Sequence, residues 1–263
     1  MPDLPPRRAS SADIVTGTEG PALPVGAVLV DFDGTACLHD VAEHLLIEFG
    51  DPSWPEWDAA WERGEIGARD CLLAQDAMLR GDRDTMLAFV RRHCEMDPTF
   101  APFVSWLRDL GVPVAIVSDG FGFYIEPMLE TAGVAWIPVI TNEQRWDADR
   151  KVTGVSFVSG HPDCVGCGTC KMQAVLQHRR EFGPVAFIGE GPSDRYGALY
   201  ADLTFAKLDL VELCERDGVA YVPWTNFDDV RRSLESSVQL PGAVAPVRCP
   251  GWLLPTLEDS PTA

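Results

Sequence analysis

Apolar residues recur along the chain in two rhythms. Short β-rich runs at 27–32, 112–117, 135–140, 185–188 and 203–206, with a sixth at 219–222, read as buried strands. Between most of them the apolar positions fall at helical spacing, as over 101–110, 124–132, 171–182 and 228–235. Strands alternating with helices of this length predict an α/β fold with a doubly wound parallel sheet. The alternation breaks between the first two strands, where residues 41–94 hold the helical patterns LLIEF, WDAAWERG, ARDCLLAQDAML and DTMLAFVRRHC and no strand. That segment is too long for a simple crossover, so it predicts an all-helical cap inserted after strand one. A smaller interruption spans 141–169, with VTGVSFVSG as a short strand.

The expected organisation is a core of 25–39 and 98–240, a helical cap at 40–97, and terminal tails at 1–24 and 241–263. The tails are rich in proline, and the first also in serine and arginine, so disorder without chemistry is expected there. A chain of 263 residues with 46% apolar content can bury one substantial core with a smaller appendage. The net charge of -19 argues against non-specific binding to nucleic acid or anionic lipid, since no block of Lys and Arg offsets it. The chain shows no apolar stretch of membrane-spanning length, and MPDLPPRRASSAD lacks the apolar centre of a secretory signal, so a cytoplasmic protein is expected. No oligomeric state follows from these observations.

Charge becomes informative at VLVDFDGTACLHD, where a buried strand ends in Asp31 and Asp33 although unpaired buried charge is expensive. In open α/β sheets ligands bind beyond the carboxyl ends of the strands. Strand two is followed by Ser118, Asp119 and Gly120, a later helix opens on Lys171, and strand four is followed by Glu190 and Asp194. Together these predict one acidic site holding a lysine and a hydroxyl. Mg2+ would reconcile several carboxylates in a small space and would bind a substrate phosphate beside them. One carboxylate could then attack phosphorus and the other protonate the leaving oxygen, with lysine and serine on the equatorial oxygens.

DFDGT, VSDG, CGTCK and GEGPSD, in this order, resemble the four motifs of the haloacid dehalogenase superfamily over residues 25–217. The resemblance implies Asp31 as nucleophile, Asp33 as general acid and base, and Thr35 as a supporting hydroxyl. It implies that Ser118, Asp119, Gly120 and Lys171 bind phosphate, that Asp31, Asp33 and Glu190 hold Mg2+, and that Asp194 orients a metal water or Lys171. A small phosphorylated metabolite is the expected partner. Within the superfamily the chain resembles the phosphoserine phosphatase-like branch with a helical cap. SDGFGFYIEPML and CGTCK are further similar to the methylthio-ketopentenyl phosphate phosphatases and the phosphocholine and phosphoethanolamine phosphatases. One departure stands out: the fourth motif usually begins Gly-Asp, and here Glu190 follows Gly189. The expected reaction is Mg-dependent hydrolysis of a small phosphomonoester through an aspartyl-phosphate. A phosphotransferase of the same fold and a silent phosphate-binding protein are the alternatives.

Eight cysteines in a reducing compartment suggest metal ligands and isolated thiols rather than a disulfide framework. His161, Cys164, Cys167 and Cys170, each separated from the next by two residues, offer tetrahedral ligands to a structural Zn2+, whereas buried or spare thiols are the commoner fate of a single run. A redox role for CGTC lacks the thioredoxin-like βαβ context. Trp54, Trp57 and Trp61 are expected to pack inside the cap, and Phe121, Phe123 and Tyr124 to face a substrate. Arg195 is expected to be solvated at a helix start.

Overall fold

The computed structural model describes residues 23–236 and Cys249. The terminal tails expected from sequence lie outside the described residues, apart from residues 23–24 and Cys249. The central strand β1 (Ala27–Val30) is fully buried and has parallel neighbours on both sides, β2 (Val114–Phe121) and β5 (Val185–Gly189). Beyond β2 lie β3 (Val139–Trp146) and then β4 (Val152–Ser156), which pairs antiparallel to it. Beyond β5 lie β6 (Leu203–Ala206) and the two-residue β7 (Val222–Pro223), both parallel. The sheet order β4-β3-β2-β1-β5-β6-β7 reverses direction at β1 and β5, where such folds bind their ligands.

Alternation along β1 sends Val28 and Val30 to one face and Ala27 and Leu29 to the other. Each face buries an apolar layer. The first layer takes side chains from α5 (Phe100–Asp109), α6 (Gly122–Thr131) and α10 (Phe227–Glu235). The second takes them from α7 (Lys171–Phe182), α8 (Arg195–Tyr200) and α9 (Asp209–Asp217). The sequence pattern did not reveal α8 and α9. The first is only six residues long, and the second interleaves its buried Leu210 and Cys214 with charged neighbours.

Strand three begins later than its apolar run suggested. Residues 134–137 form a turn, closed by an Ile137 N–H donated to the Val134 carbonyl, and the strand starts only after Pro138. It then runs through the polar TNEQRW segment because β4 gives it a partner. Strand two likewise extends through Ser118–Phe121, so its polar cluster is part of the strand's end rather than beyond it.

Between β1 and β2 the chain forms α1 (Val41–Phe49), α2 (Pro55–Glu62), α3 (Ala68–Met78) and α4 (Arg83–His93), the inserted helical cap. Asp40 and Asp82 cap α1 and α4 by accepting N–H bonds from Glu43 and from Asp84 and Thr85. The tryptophans do not form a cap core. No residue of α2 is buried, and Trp61 instead lines the central cavity, because α2 lies on the outside of the bundle with one face toward the core. The cap rests on the hairpin β3–β4 and the loop after it. Gln144 Nε2 donates to Asp76 Oδ1 at 2.6 Å, the Arg83 N–H to the Arg150 carbonyl at 2.8 Å, and the Ala68 N–H to the Gly166 carbonyl at 2.8 Å.

Asp76 and Gln144 meet out of solvent, and burial pushes the Asp76 carboxyl up to about 6 despite the amide bond and the nearby Arg145. A carboxyl raised in the folded state keeps a proton that the unfolded chain has lost. Its stabilising contribution is therefore complete below about pH 4 and is lost as pH rises through about 6. Asp76→Asn removes that loss and offers a donor to Gln144 Oε1, which has no partner among the described residues. The variant is expected to exceed wild type in stability by on the order of 2 kcal/mol at pH 8, and the advantage should vanish by pH 4, as read by urea unfolding.

Candidate active site

Four chain segments meet at the carboxyl ends of β1, β2 and β5. Asp31 ends β1, its N–H bonded to the Ile188 carbonyl of β5 at 2.9 Å. The chain then makes one wide turn, with the Ala36 and Cys37 N–H groups donating to the Asp31 and Phe32 carbonyls. Gly34 adopts φ +66° within this turn, a conformation glycine reaches without steric cost. The turn brings Asp33 back over the sheet and buries Phe32 and Thr35 beneath it.

Lys171, the first residue of α7, reaches into this cluster. Its Nζ donates to Asp31 Oδ1 at 2.7 Å, to Asp194 Oδ1 at 2.6 Å and to Ser193 Oγ at 3.0 Å. The lysine and both carboxylates are almost wholly buried, with side-chain exposures of 1%, 6% and 0%. Burial disfavours the ammonium, yet Asp194 and Asp31 together hold Lys171 above its ordinary range. Asp194 also accepts, through Oδ2, the N–H groups of Glu190 at 2.8 Å and Gly191 at 3.1 Å. One carboxylate thus shapes the loop after β5 and aims the lysine. Gly189 permits it, since a Cβ there would stand 2.4 Å from Asp194 Oδ2.

Ser118 Oγ accepts the Gly120 N–H at 2.9 Å, and Asp119 Oδ1 accepts the Thr169 N–H at 2.6 Å. Thr169 Oγ1 donates to the Ser118 carbonyl at 2.7 Å, so β2 is tied to the loop that delivers Lys171. Asp33 is oriented by two donors: the Val41 N–H on Oδ1 and the Tyr124 hydroxyl on Oδ2, each at 2.9 Å. Burial pushes Asp33 up to about 7, helped by the charge of Asp40 and opposed by those two bonds and Lys171. Burial, then Asp194, likewise pushes Glu190 up to about 7. The longer side chain of Glu190 lies over Gly34, where a Cβ would come within 2.8 Å of its carboxyl carbon.

Asp31, Asp33, Ser118, Asp119, Gly120 and Glu190 line one cavity of about 180 Å³, closed on the cap side by Asp40, Glu43, Asp58, Trp61 and Leu72. Among the described residues that line it there is no Lys, Arg or His. Most of the side chains picked out from the sequence therefore converge. Thr35 is the exception: it is fully buried and its Oγ1 has no partner among the described residues. Ser193 was missed, having no signal beyond its place inside GEGPSD. Phe121, Phe123 and Tyr124 are buried in the core and do not line this cavity, Phe121 as the last residue of β2 and the other two in the first turn of α6. Arg195 is not free at its helix start but forms a two-pronged pair with Asp217, at 2.6 and 2.9 Å.

Of the two readings of HPDCVGCGTC, the structural zinc is not supported. Among the described residues no three His, Cys, Asp or Glu side chains gather closely enough to hold a metal by themselves. The loop is held instead by ordinary hydrogen bonds, including Arg69 Nε to the Cys167 carbonyl at 2.7 Å and the Gly166 N–H to Cys164 Sγ at 3.4 Å. Burial also raises the Cys167 and Cys170 thiols, which favours the protonated form over a metal-binding thiolate.

A capped α/β fold with a buried carboxylate after its central strand, a buried lysine and a polar cavity is the setting of a phosphatase. The model of the haloacid dehalogenase-like hydrolases matches residues 28–198, and the chain belongs to that family. A 2-hydroxy-3-keto-5-methylthiopentenyl-1-phosphate phosphatase of Bacillus velezensis is 26% identical over 214 residues, covering 80% of this chain and 89% of the relative. A bifunctional enzyme MtnB/MtnX of Bacillus licheniformis is 27% identical over 222 residues, which are 81% of this chain but only 50% of that protein. The solved structure of a phospho-aspartyl intermediate analogue of phosphoserine phosphatase superposes with a TM-score of 0.63 at 17% identity, covering 81% of this chain and 98% of that one. At that identity the likeness is one of fold.

Lys171→Met leaves Asp31 and Asp194 buried without their cation. The loss is expected to be about 3–5 kcal/mol of stability at pH 7 in chemical denaturation, narrowing at pH 5 as the unpaired carboxyls take up protons.

Proposed function

We propose that the protein hydrolyses a small phosphomonoester in a Mg2+-dependent reaction through an aspartyl-phosphate on Asp31. The observation that carries this reading is the arrangement of Asp31, held by Lys171, beside Asp33 and Ser118 at one end of a cavity roofed by the cap. In the first half-reaction an Asp31 carboxylate oxygen bonds to phosphorus as the ester P–O bond breaks. The departing oxygen takes a proton from Asp33. In the second, Asp33 removes a proton from water, which attacks phosphorus and restores Asp31. Lys171 and the Ser118 hydroxyl, with the backbone of Asp119 and Gly120, are suited to hold the equatorial oxygens as their charge is redistributed.

The donor set suits Mg2+. Asp31, Asp33, Asp119, Glu190 and Asp194 lie near one buried ammonium, and burial, then the charge of Asp194, raises the Asp31 and Glu190 carboxyls. Mg2+ commonly takes only one or two protein carboxylates, filling its shell with water and substrate phosphate, so a full protein cage is unnecessary. Asp31 and Glu190 are the residues that would hold it, since both oxygens of Asp33 accept bonds from Val41 and Tyr124. Bound there, the metal would neutralise the phosphoryl oxygens and the nucleophile.

The cavity also bears on the leaving group. Leu46, Leu72, Ala68 and Trp61 supply apolar wall, and Glu43 and Asp58 supply negative charge without a basic counterpart in the lining. That combination disfavours a leaving group with a second phosphate or a carboxylate. It suits one that is uncharged, as in the methylthiopentenyl substrate named for the Bacillus velezensis relative.

Phosphate release is expected from uncharged alkyl phosphomonoesters, to be lost in chelator, restored by Mg2+ and abolished in Asp31→Asn. Release that persists in Asp31→Asn refutes the nucleophile. For Glu190→Asp, half-maximal activity is expected at a several-fold lower Mg2+ concentration, because the shorter side chain restores the ligand length usual at this position of the fourth motif; an unchanged Mg2+ titration rules out that cost.

A further inference from the structure

Tyr124 is a large polar side chain buried with no solvent exposure in the first turn of α6. Phe32, Phe121 and Phe123 surround its ring at centroid distances of 5.2–6.4 Å. Packing alone would be served by phenylalanine there. Tyrosine adds a hydroxyl that donates to Asp33 Oδ2 at 2.9 Å. The backbone makes room for that contact. A Cβ on Gly120 would stand 2.1 Å from the Tyr124 hydroxyl oxygen and 2.6 Å from Asp33 Oδ2, so the glycine beside Asp119 lets the two approach.

The other oxygen of Asp33 is held from the opposite side. The Val41 N–H that binds Oδ1 belongs to the first residue of α1, and therefore to the cap. Ser118 Oγ is 3.4 Å from Oδ2, too long for a strong bond. Tyr124 is thus the core's principal grip on the Asp33 carboxylate, whereas Val41 is the cap's.

We propose that Tyr124 is a positioning residue for proton transfer: its hydroxyl fixes the rotation of the Asp33 carboxylate, so that Asp33 meets the leaving-group oxygen. This rests on the reading of Asp33 as proton donor. Tyr124 touches neither substrate nor phosphorus, and acts through Asp33. The bond from Tyr124 also locks a side-chain torsion that Val41 alone would leave free to turn about Oδ1.

The test uses leaving groups of graded basicity: para-nitrophenyl phosphate, phenyl phosphate and propyl phosphate, assayed with the full chain and saturating Mg2+. A nitrophenolate departs without protonation, whereas an alkoxide needs the proton. The ratio kcat/KM reports the steps through departure of the leaving group, so slow phosphoenzyme hydrolysis does not mask the effect. Wild type, Tyr124→Phe and Asp33→Asn are compared.

Tyr124→Phe is expected to keep kcat/KM for para-nitrophenyl phosphate within about twofold while losing about tenfold on propyl phosphate, the scale of one hydrogen bond to a charged group. Asp33→Asn should show the same selectivity more steeply. A uniform loss across the series in Tyr124→Phe, or no loss, with Asp33→Asn still selective, overturns the positioning role and leaves the function standing. If Asp33→Asn itself is unselective, the proton-donor assignment falls and the role of Tyr124 falls with it. The near-constant nitrophenyl ester rate in Tyr124→Phe is the sign that separates positioning from damage to the fold.

Discussion

The buried contact of Lys171 with Asp31 and Asp194 is the constraint around which the rest of the molecule is arranged. Three ionised groups with almost no solvent exposure are tolerable only if their charges and hydrogen bonds are mutually satisfied, and the cost of breaking one pair is correspondingly large. The lysine comes from the start of α7, one carboxylate from the end of β1 and the other from the loop after β5. Their meeting therefore requires β1 and β5 to be adjacent and α7 to point its first residue at their carboxyl ends. A positive charge at a helix N-terminus is disfavoured by the helix dipole, and here the two carboxylates more than offset that penalty.

Around this contact, close backbone approaches take the place of side-chain bulk. Gly34, Gly120 and Gly189 each stand where a Cβ would meet a site carboxylate. The site is consequently dense in negative charge, with Asp33 and Glu190 both pushed up to about 7 by burial and their neighbours. The side chain of Glu190 occupies the space that a Cβ on Gly34 would fill.

The cap is hydrogen-bonded to the core through the β3–β4 hairpin and the cysteine-rich loop, and packs on it through Val41, Leu45, Met86 and Val90. Arg69 of α3 holds the carbonyl of Cys167, and the loop so held leads directly into Thr169 and Lys171. Cap position and lysine delivery therefore share a physical connection. The backbone of that loop is engaged by the cap through Arg69 and by β2 through Thr169.

Much of this was legible along the chain. The strand-helix alternation, the helical insertion and the polar residues following each strand follow from local rules, namely periodicity and the rarity of buried charge, and so Asp31, Asp33, Ser118, Lys171, Glu190 and Asp194 could be picked out before their distances were known. Residues whose role depends on what faces them could not. Tyr124 reads as one more aromatic, and only the fold places its hydroxyl on Asp33; Trp61 reads as core, and only the outward seat of α2 turns it to the cavity. The spacing of His161, Cys164, Cys167 and Cys170 matched a metal site, but spacing does not set the direction of side chains in a loop, and the structure does not gather them. Sequence determined which groups carry charge and which strand ends they occupy, because those depend on near neighbours; tertiary structure decided which of them touch, because that depends on packing between segments as far apart as residues 31 and 171.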